Sequence, residues 1–389
     1  MPNSLCTTER SRTTRRLATV LSAAALAVPL LGLATPAEAA TGPTVSVSMG
    51  DSYISGEAGR WRGSSDSTGG SRDGTDRAWT GSGYDATRVY GSTFASGCDR
   101  SDSAEIRTAR IAQNQINLAC SGATTANVFR AADGGQSHLG EAPQADQLAA
   151  VAAKNNVKLI TLSIGGNDLG FADVITSCAA DYMIWGSSCR DDEQAAVDSA
   201  MPDAMAGVGK SIDEIRAVMR AAGYADGDYR LVLQSYPSPI PRSSEMRYPE
   251  SGWTRANTGG CPFWDTDADW ARDSMTGQVS DALAQVAASK GVQFLDLRDT
   301  LQGREVCSKS DSLATPDNPP SATTSEWARF VDAGLSTPQG ATQESMHPNY
   351  YGQLALGRCL ALLYARPSGD FACDNTPGQD ASGMYLTAR

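Results

Sequence analysis

Short apolar runs alternate with stretches of helical periodicity along residues 41–389. Runs over 45–49, 116–119, 157–164, 229–235 and 292–297 read as buried strands, the third being the strongest. Apolar positions at helical spacing predict helices over 145–154, 193–222, 267–290 and 350–365, with a break in the second near Pro202 and Gly207. Strands alternating with helices predict an α/β fold, a central five-stranded parallel sheet with helices on both faces.

Two stretches carry no sustained period. Residues 54–96 are dense in Gly, Ser, Asp and Thr, and residues 298–345 form a proline-containing connection. Loops of this length in compact domains are usually functional or mobile. No repeat and no linker divides the chain, so one domain over 41–389 with elaborate loops is expected. Residues 1–40 are set apart as a cleaved export signal. Arg10, Arg12, Arg15 and Arg16 begin it, an apolar run over 17–33 interrupted by Pro29 follows, and Ala37-Glu38-Ala39 offers a cleavage site. The Arg15-Arg16 pair is only a weak twin-arginine signal.

Charge narrows the partners. The whole chain carries −12; residues 1–40 contribute four Arg and two Glu, leaving −14 for the remainder. So acidic a body repels nucleic-acid phosphates and anionic membranes, so no nucleic-acid partner is expected. Beyond the leader no segment approaches the ~20 apolar residues of a membrane span. Eight cysteines lie outside the leader, at Cys98, Cys120, Cys178, Cys189, Cys261, Cys307, Cys359 and Cys373. An even number in an exported chain implies disulfides, and pairing of neighbours is the simplest of the 105 arrangements. A metal cluster fits poorly, because there is no C-x-x-C and only His138 and His347 supply imidazole.

Four strand-end or loop segments hold candidate chemistry. The first strand runs into Gly50-Asp51-Ser52, at the carboxyl edge where open α/β sheets bind ligands. A turn or helix cap would use the same residues. The second ends in Cys120-Ser121-Gly122-Ala123-Thr124, where a glycine N–H is unobstructed by a side chain. The third ends in Gly165-Gly166-Asn167-Asp168, equally suited to a plain β-to-α turn, yet the Asn amide can donate to a developing oxyanion. Glu344-Ser345-Met346-His347-Pro348-Asn349 precedes the last helix and offers a base. His138, in a glycine-rich stretch, reads as a surface residue.

In their order these four blocks resemble the SGNH, or GDSL-type, hydrolase superfamily. Residues 50–57 and 119–125, with the paired cysteines, are most similar to secreted lipases and esterases of streptomycetes. The resemblance implies a three-layer α/β/α, flavodoxin-like fold and a cofactor-free, metal-free serine carboxylic-ester hydrolase. It implies Ser52 as nucleophile, His347 as general base, and Ser52 N–H, Gly122 N–H and Asn167 as the oxyanion hole. The absence of G-x-S-x-G agrees with it.

One position departs from the family pattern, which places Asp three residues before the histidine. Here Glu344 stands there and is expected to orient the ring, a main-chain carbonyl being the alternative. Trp253, Phe263, Trp264 and Trp270 read either as the lining of an apolar groove for a lipid or other acyl ester or as ordinary core packing. Phospholipids and acylated plant polymers (feruloyl or acetyl) are the alternative substrates, and a secreted monomer is expected. A non-catalytic carbohydrate-binding module would have no need of Ser52, Asn167 and His347 together, and a metal-dependent phosphoesterase would need more histidines.

Overall fold

Strand β1 (Thr44–Gly50) is buried at every position after Thr44, which requires neighbours on both sides and both faces. The computed structural model, which describes residues 42–332 and 342–389, supplies them. Strand β1 runs parallel to β2 (Asn114–Asn117) on one side and β3 (Asn156–Ser163) on the other. The sheet continues through β4 (Arg230–Gln234), β5 (Gln293–Asp296), β6 (Phe371–Asp374) and β7 (Tyr385–Ala388), in the order β2-β1-β3-β4-β5-β6-β7. All neighbours are parallel except the last pair. The first five strands thus have the doubly wound 2-1-3-4-5 order, which brings the carboxyl ends of β1 and β3 to a switch point.

Alternate side chains divide between two cores. Leu231, Leu233 and Phe294 face helices α3 (Gln144–Ala152), α5 (Arg190–Ala221) and α6 (Thr276–Lys290). Val232 and Leu295 face α2 (Glu105–Ala109) and α7 (Tyr350–Tyr364). Helix α4 (Phe171–Met183) lies beside the carboxyl edge and packs Val174 and Cys178 into the second core. Disulfides Cys98–Cys120, Cys178–Cys189, Cys261–Cys307 and Cys359–Cys373 tie these layers.

The expected five strands are seven. Strands β6 and β7 were missed because each has four residues, and together they hold only one fully buried position, Cys373. Strand β2 begins two residues before the apolar run that announced it. The break expected near Pro202 is absent, since Val197 packs into the second core before the proline and Ala204, Val208 and Ile212 into the first core after it. Gly207 is a packing notch: a Cβ there would come within 2.3 Å of Thr125 Oγ1. Helix α4 was not among the expected helices; its buried residues Val174, Cys178 and Tyr182 recur at four-residue spacing and form one face.

The two aperiodic stretches meet each other. Across them Arg72 pairs with Asp332 at 2.9 Å and the Arg329 guanidinium lies 3.7 Å from the Trp61 ring, while within the first, buried Arg60 pairs with Asp76 at 2.7 Å. These pairs do in the loops what periodic apolar positions do in the sheet. The expected leader, residues 1–40, lies outside the described residues, and among those described no helix is long and apolar enough to cross a membrane.

Candidate active site

Strand β1 passes so close to β3 at its end that a Cβ on Gly50 would lie 1.8 Å from the Ser163 carbonyl oxygen. Asp51 then caps a single helical turn, α1 (Ser52–Ser55), accepting from Tyr53 N at 3.2 Å, and Gly56 closes the turn at φ 91°. The Asp51 carboxyl also takes the Tyr236 hydroxyl hydrogen, while Tyr236 Oη accepts from Gly166 N at 3.0 Å. Burial lifts the Asp51 carboxyl to about 7, although the Tyr236 and Tyr53 donors pull the other way. Ser52 is thereby fixed at the mouth of the sheet, 7% exposed.

His347 arrives from the other end of the chain. Asn349 caps α7, accepting from Tyr351 N at 2.9 Å, while its amide donates to Glu326 O at 2.7 Å. Met346, at φ 62°, turns the backbone through a region that non-glycine residues seldom occupy. The result sets His347 Nε2 2.7 Å from Ser52 Oγ and Nδ1 2.9 Å from Ser345 O. A carbonyl oxygen only accepts, so Nδ1 carries the hydrogen and Nε2 is left to accept from the serine. The Tyr53 ring packs 4.8 Å from the imidazole and its hydroxyl donates to Met346 O at 2.9 Å. Burial holds the imidazole down at about 4, with the Ser345 and Glu344 carbonyls opposing.

The Glu344 side chain does not orient this ring. Its carboxylate accepts from Trp61 Nε1 at 2.6 Å and from the Tyr90 hydroxyl, both in the first long loop. Burial raises its pKa, while Arg60, Tyr90, Trp61 and Arg329 pull it down. The expectation fails because those aromatic donors claim the carboxylate and the nearer Ser345 carbonyl meets Nδ1. A carboxyl the sequence reading missed, Glu57, puts Oε2 3.7 Å from His347 Nε2 and is 1% exposed. Its place inside the Gly50–Glu57 block was the one available signal, as it was for Tyr53.

The ends of β2 and β3 are stitched together beside the serine. Asn167 Nδ2 donates to Ala123 O at 2.8 Å, keeping its second hydrogen, and Asp168 accepts from Thr125 N at 3.0 Å and Thr125 Oγ1 at 2.6 Å. Gly122, at φ 74°, immediately precedes these anchors and follows the Cys98–Cys120 bridge by two residues. Among the described residues no protein acceptor takes the N–H of Ser52 or Gly122. His138 is not a bare surface residue: its half-buried ring sets Nε2 2.7 Å from Ser121 O.

A pocket opens over the pair, lined by Ser52, Tyr53, Asn167, Phe171, Ile175 and His347; Gly122 is not among its lining residues. Behind Tyr53, Phe171 and Tyr236 a second, apolar chamber is walled by Val174, Ile240, Phe263, Trp270, Val279 and Met346. Of the four aromatics offered for a groove, only Phe263 and Trp270 line it. Trp253 stands 45% exposed and Trp264 packs on Tyr182 and Trp185, because that loop folds outward beyond the end of α4. The described acidic and sulfur side chains that come within metal-binding distance, Cys178, Cys189 and Asp267, include two cysteines already joined as a disulfide.

Comparison with known proteins places this geometry in context. The model of the GDSL-like Lipase/Acylhydrolase family matches residues 48–355. Lipase 1 of Streptomyces coelicolor is 30% identical over 158 residues, 40% of this chain and 48% of that protein. An esterase of Streptomyces scabiei is 26% identical over 186 residues, 43% of this chain and 50% of its own length. The chain therefore spans about half the length of the curated relatives it matches. The crystal structure of an extracellular lipase from Streptomyces rimosus is 22% identical with a TM-score of 0.45, covering 83% of this chain and 100% of that one.

Proposed function

The chain belongs to the GDSL-like lipase/acylhydrolase family, and from that premise we propose that it hydrolyses carboxylic esters with Ser52 as nucleophile and His347 as general base. The observation that carries the proposal is the 2.7 Å contact between Ser52 Oγ and His347 Nε2, made by a ring whose other nitrogen is committed to Ser345 O.

In the proposed cycle Ser52 Oγ attacks the ester carbonyl carbon as its proton passes to His347 Nε2. The carbonyl π electrons move to oxygen, and Ser52 N–H, Gly122 N–H and the second Asn167 amide hydrogen donate to that oxyanion. Collapse breaks the bond to the alkoxy oxygen, which leaves as the alcohol with the proton from His347. Water then attacks the acyl-serine, giving its proton to His347 and regenerating the Ser52 hydroxyl as the acid departs.

The apolar chamber behind Tyr53 and Phe171 favours an apolar acyl group, so a lipid or other acyl ester is the proposed substrate class. Export is part of the proposal: four disulfides are bonds that persist in oxidising compartments, and residues 1–40 would be the removed leader.

A fluorophosphonate probe tests the reading directly. Covalent labelling of the folded protein, mapped by mass spectrometry to Ser52 and abolished in Ser52→Ala, is the expected result. Labelling elsewhere, or ester hydrolysis undiminished in Ser52→Ala, would refute it.

A further inference from the structure

The loop carrying Gly122 is gripped on both sides by residues outside the Ser52–His347 pair. Ser121 Oγ donates to Glu57 Oε2 at 2.6 Å. On the opposite side of the same residue, the Ser121 carbonyl oxygen lies 2.7 Å from His138 Nε2. Since that oxygen can only accept, the hydrogen is on Nε2. The Ser121 carbonyl and the Gly122 N–H are two ends of one planar peptide group. A hydrogen bond at its oxygen fixes the plane and draws electron density from nitrogen, making the N–H a stronger donor.

Both grips are themselves anchored. Glu57 N donates to Ser52 O at 3.2 Å, so the turn that carries the nucleophile also carries the carboxyl that holds Ser121. Glu57 Oε1 is buried with no hydrogen-bond partner among the described residues, a cost that a purely stabilising role would not require. His138 exchanges backbone hydrogen bonds with Glu141 at 3.0 and 2.9 Å. Glu141 in turn pairs with Arg100 at 2.5 Å, and Arg100 Nε donates to Ala119 O at 2.6 Å, returning the chain of contacts to the end of β2.

We propose that Glu57 and His138 are positioning residues that clamp the Ser121–Gly122 peptide with its N–H aimed at the oxyanion. This rests on the reading of Gly122 as an oxyanion donor given above.

The test compares His138→Leu, His138→Gln, Glu57→Ala and Glu57→Gln with the parent and with Ser52→Ala, on p-nitrophenyl butyrate. His138→Leu and Glu57→Ala are expected to lose about tenfold in kcat with KM within about twofold, less than the ~10²–10³ typical of losing a donor outright. His138→Gln, which returns an N–H donor, and Glu57→Gln, which returns an acceptor for Ser121, recover most of that loss. Inactivation by a p-nitrophenyl phosphonate, whose adduct carries the oxyanion, slows in parallel. Unchanged kcat, a change in KM alone, or glutamine variants as impaired as the apolar ones would overturn the inference. If Glu57→Ala does not fold, the half-buried position 138 decides. Full turnover in Ser52→Ala would instead sink the reading of the site itself. An inactive Ser52→Ala beside four parent-like variants would sink the clamp alone.

Discussion

His347 Nδ1 lies 2.9 Å from the carbonyl oxygen of Ser345, two positions earlier in the chain. Main chain therefore fixes the tautomer that leaves Nε2 facing Ser52, a task a carboxylate performs in the acid–base–serine arrangement. A carbonyl gives orientation without a full countercharge.

Glu344→Gln tests the consequence. Its partners Trp61 and Tyr90 belong to the long loop, so the substitution should lower the melting temperature while kcat stays within about tenfold of the parent. A loss of hundredfold or more at an unchanged melting temperature would return Glu344 to the catalytic relay.

The pH–rate profile should have a low acid limb. Burial holds His347 at about 4, so the ring is a neutral base at any pH above that. Activity, kcat/KM on a short p-nitrophenyl ester, is expected to rise with pH through about 4 and level off before neutrality. An acid limb near the ordinary histidine value would mean that the ring is solvated in the working enzyme.

Stability should fall as pH rises from mildly acidic to neutral. Burial lifts Asp51, Asp99, Glu105 and Glu305 to about 7, above their unfolded values of 3.8 or 4.5. Each binds its proton more tightly when folded, so its contribution is full below about 4 and is lost as pH rises through about 7. His347, held down from 6.5 to about 4, works in the opposite sense, since its contribution is lost as pH falls through that window. Burial also raises Glu57, Asp311, Glu326, Glu344 and Asp374, so the carboxyls outweigh the imidazole and predict a lower melting temperature at pH 8 than at pH 5, measured by circular dichroism. A higher one would contradict the burial of these carboxyls.

Removing the Cys98–Cys120 bridge, by Cys98→Ser with Cys120→Ser, should cost about 2–5 kcal/mol of stability. Because the bridge ends two residues before Gly122, kcat should suffer more than KM. Chemical denaturation and steady-state kinetics on the same preparation check both. Parent-like kcat would show that the other anchors hold the loop unaided.

Much of the scaffold was legible in the chain. Strands β1, β3, β4 and β5 bury nearly every side chain, and such runs announce themselves without knowledge of their neighbours. The short strands β6 and β7 at one side of the sheet did not, because pairing and not burial defines them. At the site, the sequence pointed to Ser52, Gly122, Asn167 and His347 through four short blocks whose joint order resembles a known family, each block alone being equally readable as a turn or cap. It gave no access to Tyr236 or to the role of His138, whose partners lie 185 and 17 residues away.

What the chain determined alone is the alternation of its strands and helices, since periodicity acts within a few residues, and, through the order of four short blocks that resemble a known family, its candidate nucleophile and base. Which group meets each polar atom was settled only on folding. Glu344 stands three positions from His347, yet its carboxylate is claimed by Trp61 and Tyr90, 283 and 254 residues distant. Hydrogen-bond partners are chosen by distance and direction in space, and packing of the two long loops fixed both.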